Sequence, residues 1–197
     1  MTTTFKGKKI QISVYFAALV TLAFALSPEG YAPLGLVCCI LHEAGHLLCM
    51  KAVGCEVRGV SLGLYGMRID SAPCVALSPI KEVVIAFGGP LVNIILAVLG
   101  VIIKNQMLTA SNAVLAVFNL LPVESTDGYN VLYGLLSIRF ESEKIKAALR
   151  IVSAAFLFLL YCFGFLLLFK SGYNFSALAV AVYLSVKFLF QGSQPYR

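Results

Sequence analysis

Long apolar runs separated by short polar segments form the dominant pattern of this chain. A helix needs about 20 apolar residues to cross the hydrocarbon core of a bilayer. We interpret five runs as membrane crossings, and they lie at residues 10–26, 31–53, 83–103, 151–169 and 177–190. The pattern therefore predicts a protein with several membrane-spanning helices.

A polar interruption divides one further apolar region. Residues 113–121 and 131–138 are apolar, but each is too short to cross a bilayer, and PVESTDGYN lies between them. Non-helical backbone at membrane depth is tolerated where protein buries it or where it lines a wet cavity. We therefore interpret residues 113–138 as one broken crossing, which brings the expected number to six.

Residues 54–80 do not follow the helical pattern. They are rich in glycine, and Val60, Leu62 and Leu64 alternate with small or polar neighbours, which predicts a small β-hairpin. Because an exposed edge strand can pair with an extended peptide, these three residues are candidates for substrate binding. A hairpin that only caps the helices is the alternative.

The expected fold is an all-α polytopic membrane protein with about six transmembrane helices, one of them broken, and a small β-hairpin or edge strand after the second helix. Composition agrees: 60% of the 197 residues are hydrophobic and 12% are charged, whereas soluble domains carry about 25% charged residues. We expect one membrane-embedded domain over residues 1–197. Its core would span about 31–138, with extra helices at about 150–191.

The positive charge follows from the same topology. The net charge is +6, and with six crossings most Lys and Arg residues fall on the side that holds both termini. Cytoplasmic loops are enriched in Lys and Arg, so we expect both termini in the cytoplasm. The charge then needs no nucleic-acid partner, and the lipid bilayer is the expected surroundings.

Three ionisable residues stand at the centre of the second apolar run. The segment CCILHEAGHLLCMK holds both histidines of the chain, His42 and His46, with Glu43 directly after the first. Residues four apart share one face of a helix, so the two imidazoles can meet at one point. This is the HExxH arrangement of two zinc ligands and a general base. Ionisable groups inside a bilayer are costly and normally mark function.

A catalytic zinc ion takes three protein ligands and leaves one open position. No third histidine exists, so the remaining ligand must be acidic. Asp127 follows Pro122 in the break of the interrupted crossing, where a carboxylate can be aimed inward, and Glu124 is its rival. Asp70 lies in the predicted hairpin, where a solvated charge is the simpler interpretation.

The sequence resembles the site-2 proteases, which are intramembrane zinc metalloproteases. HEAGH at 42–46 resembles their first motif, and NLLPVESTDG at 119–128 resembles their second. FGGPLVNIILA at 87–97 is similar to the Gly-Pro-x-x-Asn segment between them. The resemblance implies that His42, His46 and Asp127 are zinc ligands. It implies that Glu43 is the catalytic base. It also implies that Asn93 and Asn119 are supporting polar residues near the site.

The compact layout resembles the stage IV sporulation protein FB group, which activates a sigma-factor precursor. This implies cleavage of membrane-spanning or membrane-associated pro-proteins in a bacterial plasma membrane, with an inhibitory membrane partner as a further expectation. The chain departs from the family pattern around Ser125, Thr126 and Tyr129, which concerns the shape of that loop. We expect neither a PDZ domain nor a nucleotide-sensing CBS domain.

Two other functions use the same residues. In a zinc or proton-coupled transporter the ligands would hold a transported ion, but such proteins usually show internal repeats and paired broken helices. A non-cleaving relative that only binds membrane proteins would be expected to have lost Glu43 or a ligand. The protease interpretation is therefore preferred.

Overall fold

Helices dominate the part of the chain that the structure describes. The computed structural model describes residues 2–5, 8–26, 31–55, 57–63, 66–71 and 78–190. Its contacts divide the chain into two compact units, with the boundary between Phe118 and Asn119. This boundary falls inside the predicted core at 31–138, and a single membrane domain stays a prediction.

Four helices precede or reach this boundary, and they are α1 (Val14–Leu26), α2 (Tyr31–Ala52), α3 (Pro79–Ile102) and α4 (Gln106–Asn119). Helices α2 and α3 are long and apolar enough to cross a membrane, and they coincide closely with the predicted second and third crossings. The three helices of the second unit are α5 (Asp127–Leu136), α6 (Ser142–Ser171) and α7 (Ser176–Phe190).

Three described helices meet the length and hydropathy needed for a crossing, namely α2, α3 and α6. The chain is thus a membrane protein, while six crossings stay a prediction. The first predicted crossing differs most, because a strand occupies residues up to Ile12 and α1 has only 13 residues. Ile10 and Ile12 alternate with Lys9 and Gln11, which is a strand pattern. The apolar helix α1 begins at Val14, directly after this strand, so strand and helix together resemble one continuous apolar run.

The four strands of the first unit are β1 (Thr2–Phe5), β2 (Lys8–Ile12), β3 (Val57–Gly63) and β4 (Gly66–Ser71), and they form one sheet in the order β1-β2-β3-β4. Strands β3 and β4 pair antiparallel at the place of the predicted hairpin, and β2 pairs with β3 in parallel. The sheet therefore joins the start of the chain to the segment after α2.

The prediction that Val60 and Leu62 lie on an exposed edge is wrong. Val60 pairs with Ile10 on one side and Ile69 on the other, so β3 is an interior strand. The edges of the described sheet are β1 and β4. The error arose because β2 was interpreted as the beginning of a membrane helix. Leu64 lies outside the described residues.

Helices α2 and α3 pack through glycine. A methyl group at Gly45 would lie 2.8 Å from Cγ2 of Val92 and closer still to the carbonyl oxygen of Gly88. Such a close approach of two backbones is typical of small residues at helix interfaces in membranes. A buried cluster of Met50, Cys55 and Ile85 continues this contact, so the two helices that carry the central motifs are held directly against each other.

Helix α4 begins at Gln106, seven residues before the apolar run at 113–121 that was interpreted as the first part of the broken crossing. The side-chain Oδ1 of Asn105 accepts a hydrogen bond from the backbone N–H of Leu108 at 3.0 Å, which caps the helix start. The helix ends at Asn119, and the next one begins at Asp127. The interruption thus falls at the predicted break.

Two apolar clusters hold the second unit together. Tyr129 of α5 packs with Ile145 and Leu149 of α6. Val123, in the segment before α5, is 1% exposed and packs with Leu157 of α6 and Leu184 of α7. The segment between α4 and α5 is therefore anchored in the packing of its unit.

Candidate metal centre

Helix α2 places both histidines on its buried face. His42 and His46 are 6% and 4% exposed, and their Nε2 atoms lie 3.2 Å apart. Ile40 and Leu48 lie on the opposite face and are 59% and 66% exposed, as expected of a helix with one side towards lipid. The predicted convergence of the two imidazoles is therefore observed.

The Nδ1 atoms of both rings are held by α3. His42 Nδ1 lies 2.5 Å from Oδ1 of Asn93, and His46 Nδ1 lies 2.8 Å from the carbonyl oxygen of Ile85. A carbonyl oxygen only accepts, so each Nδ1 carries the hydrogen and donates it. The remaining nitrogen of each neutral ring, Nε2, then presents a lone pair, which is the form that binds a metal ion.

The two rings fit a cation. Two Nε2 lone pairs that face each other at 3.2 Å repel unless a positive charge lies against both. Gly89 of α3 leaves the neighbouring space open, because a methyl group there would lie 2.7 Å from His42 Nε2 and closer to His46 Nε2. The donors, their tautomers and the space beside them together suit a metal ion such as zinc.

Asn93, which the resemblance implies as a supporting residue, contacts His42 directly. It is fully buried, and its Nδ2 donates to Oδ1 of Asn112 at 2.8 Å. Asn112 of α4 is equally buried and was not singled out from the sequence. Its only sequence signal is an amide in an apolar helix, which is a common interhelical hydrogen-bonding residue in membranes.

Glu43 lies on the same turn of α2 as His42 and is half-buried. Adjacent residues on a helix differ by about 100° in direction, so Glu43 does not share the face of the two ligand rings. This placement suits a proton-transferring group beside a metal rather than a third ligand.

In the second unit, Asp127 is the first residue of α5 and directly follows the segment that connects α4 to α5. Thr126 is the N-cap, and its side chain accepts a hydrogen bond from the backbone N–H of Tyr129. The Oδ2 atom of Asp127 is buried. Gly128 must be glycine, because a methyl group there would lie 2.7 Å from the carbonyl oxygen of Leu121 and closer to that of Leu120.

Polar contacts fasten this segment to α6 and α7. The hydroxyl of fully buried Ser153 accepts from the backbone N–H of Glu124 at 3.0 Å and lies 3.1 Å from the carbonyl oxygen of Pro122. Lys187 Nζ donates to the carbonyl oxygen of Ser125 at 3.3 Å. Ser125 has a φ of 80°, which an L-residue adopts only when its surroundings hold it. The loop that carries the carboxylate is thus fixed in shape.

Comparison with solved structures gives the fold. The chain matches the site-2 protease from Methanocaldococcus jannaschii with a TM-score of 0.69, over 98% of this chain and 95% of that one, at 21% identity. This is the site-2 protease fold. The resemblance that the three motifs carry is therefore confirmed at the level of the fold.

Comparison with known sequences adds one relative. The chain is 31% identical over 109 residues to a provisionally named zinc metalloprotease of Synechocystis sp.. The match takes in 49% of this chain and 28% of the relative, so the chain spans well under half of that protein's length. No family model matches the chain.

Within the site-2 protease fold, the remaining predicted residues take defined places. Asn119 is the last residue of α4 and is half-buried. Glu124, the rival ligand, is 7% exposed and lies in the anchored loop. The assignment of Asp127 as the third ligand stays a prediction. Ser153, like Asn112, was missed because its importance depends on what it contacts.

Proposed function

We propose that this chain is a zinc-dependent intramembrane endopeptidase of the site-2 protease family. The observation that carries the proposal is the pair of buried imidazoles on α2, whose Nδ1 hydrogens are both bound by α3 and whose Nε2 atoms converge at 3.2 Å. The fold of a solved site-2 protease and a relative named as a zinc metalloprotease support it.

The third ligand in this proposal is Asp127. A His-His-carboxylate set is common in catalytic zinc sites and leaves a position open. A ligand must be held within a few tenths of an ångström, and the loop before α5 is anchored by Ser153, Val123 and Lys187. This rigidity is what a metal-binding loop requires.

Glu43 is the proposed general base. When bound, zinc acidifies water and polarises a peptide carbonyl. Glu43 accepts a proton from the attacking water and returns it to the leaving amine. His42 and His46 hold the metal through Nε2, and Asn93 and the Ile85 carbonyl keep their rings in the required orientation.

The proposed substrates are membrane-spanning or membrane-associated pro-proteins, with the sigma-factor precursors of the sporulation group as one class. A helical substrate must expose its backbone before cleavage, and an extended segment can add to a sheet edge. With β3 internal, the edge strand of this hairpin is β4, at Gly66–Ser71. We also propose a bacterial plasma membrane, both termini in the cytoplasm, and an inhibitory membrane partner.

The test compares wild type with Glu43→Gln, in liposomes that contain single-span membrane proteins and membrane-associated pro-proteins. Wild type should cleave and Glu43→Gln should not, while each holds about one zinc per chain. The matched control is Glu82→Gln, which changes a half-buried glutamate in the first turn of α3 and should leave cleavage intact. If zinc enters the liposomes and no peptide is cut, the transporter interpretation replaces this one.

A further inference from the structure

A chain of buried side-chain hydrogen bonds leads from His42 to the backbone of α4. His42 Nδ1 donates to Asn93 Oδ1, Asn93 Nδ2 donates to Asn112 Oδ1 at 2.8 Å, and Asn112 Nδ2 donates to the carbonyl oxygen of Leu108 at 2.9 Å. Both asparagines are 0% exposed. The hydrogen bonds therefore connect three helices through two asparagines that solvent does not reach.

The donor-to-acceptor direction of these hydrogen bonds is determined by the last acceptor, the Leu108 carbonyl. An amide side chain can present its oxygen or its nitrogen to a neighbour, and the surrounding network decides which. The Leu108 carbonyl can only accept, so Asn112 must turn its nitrogen to it. The sulfur of Cys38 accepts from the same nitrogen at 3.2 Å. The oxygen of Asn112 is then left to face Asn93.

The orientation of Asn112 in turn determines the orientation of Asn93 and the tautomer of His42. Because the oxygen of Asn112 faces Asn93, Asn93 must turn its nitrogen to Asn112 and its oxygen to His42. His42 then carries its hydrogen on Nδ1 and leaves the Nε2 lone pair directed at His46. The reverse arrangement would turn the Asn93 nitrogen towards the ring, put the hydrogen on Nε2, and remove His42 as a ligand.

We propose that Asn112 is a positioning residue that sets the tautomer of His42 through Asn93, with the Leu108 carbonyl as the fixed reference. This inference deepens the proposed function, on which its catalytic meaning rests. It predicts about tenfold weaker zinc binding when Asn112 loses its oxygen, at the lower end of the effect of outer partners on metal sites.

The first readout is the tautomer itself in zinc-free protein. The chain has two histidines, so ¹⁵N labelling of histidine gives a simple spectrum in which protonated and unprotonated ring nitrogens are well separated. At a pH where both rings are neutral, wild type should show Nδ1–H on His42. Asn112→Leu should give a mixture of tautomers for His42, whereas Asn112→Asp, which still accepts from Asn93, should keep the wild-type form.

The second readout is zinc affinity in a double-mutant cycle. A carboxylate has no donor face, so Asn93→Asp accepts the His42 hydrogen whatever residue occupies position 112. Asn112→Leu should therefore weaken zinc binding about tenfold in the wild-type background and much less in Asn93→Asp. Thr109→Val is the matched control, because it removes a hydroxyl of α4 that donates to the Asn105 carbonyl and should change neither readout.

Unchanged His42 shifts in Asn112→Leu, or equal losses of affinity in both backgrounds, would overturn the proposal. If Asn112→Leu does not fold, the Asn112→Ala variant provides the same comparison. The tautomer is read without metal or substrate, so it separates this inference from the proposed function. Wild type that never cleaves a peptide, yet shows the predicted tautomers, would refute the protease and leave the role of Asn112 standing.

Discussion

Substitution of Gly89 by alanine tests the geometry of the proposed zinc site most directly. The added methyl carbon would lie 2.7 Å from His42 Nε2 and 2.8 Å from His42 Cε1, and closer still to His46 Nε2. A comfortable contact needs about 3.5 Å, so α3 or the His42 ring must move by at least roughly 0.8 Å, and the closer contact with His46 requires a larger movement. Metal–ligand distances tolerate only about 0.2 Å, so the displacement should abolish tight binding.

The assay is the zinc content of purified protein, together with its thermal stability in detergent. We expect Gly89→Ala to hold at least about tenfold less zinc than wild type, by the tolerance above, with an overpacking cost of about 1–3 kcal/mol in unfolding free energy. The control is Gly35→Ala in α2, where a methyl group would meet nothing within 4 Å, and it should keep its zinc. A folded Gly89→Ala protein that holds one zinc per chain would refute the reasoning, because the ion could not then lie against both Nε2 atoms beside Gly89.

Three further predictions concern the loop before α5 and the metal. Ser153→Ala should lower the unfolding free energy by about 1–3 kcal/mol, since the buried N–H of Glu124 loses its acceptor; Ser171→Ala, at the end of α6, is the control in denaturant titrations. Gly128→Ala should prevent the loop from closing on the Leu120 carbonyl, and limited proteolysis should then cut this segment, whereas uncut protein would contradict the close approach. Removal of zinc by a chelator should lower the melting temperature, and added zinc should restore it. A thousandfold excess of zinc over Kd should stabilise the folded state by about 4 kcal/mol. An unchanged melting temperature would argue against a bound ion.

The local part of the site could be predicted from sequence because helical spacing alone determines it. His42 and His46 share a face whatever surrounds the helix, and the structure has them converging. Asn93 was expected from the motif that carries it. Asn112 could not be found in this way, because its partner is 19 positions away and nothing in the spacing indicates that pairing.

Long-range pairing also explains what was wrong in the fold. The alternation in KKIQI was interpreted as the approach to a membrane helix, since its pairing partner in β3 lies far along the chain. The interior position of β3 follows from that pairing, so Val60 was misplaced on an edge. Helix α4 was placed too late because its capping residue, Asn105, lies in a polar stretch that is typical of a loop.

The parallel pairing of β2 with β3 sets an order on biosynthesis. Lys9 pairs with Gly59, and at roughly 5–20 residues per second a ribosome needs several seconds to make the chain between them. During this interval the nascent β1–β2 hairpin has no third strand, and an isolated two-stranded hairpin is at best marginally stable in water. The third strand of the sheet therefore becomes available only after α2, with its HExxH motif, has been synthesised.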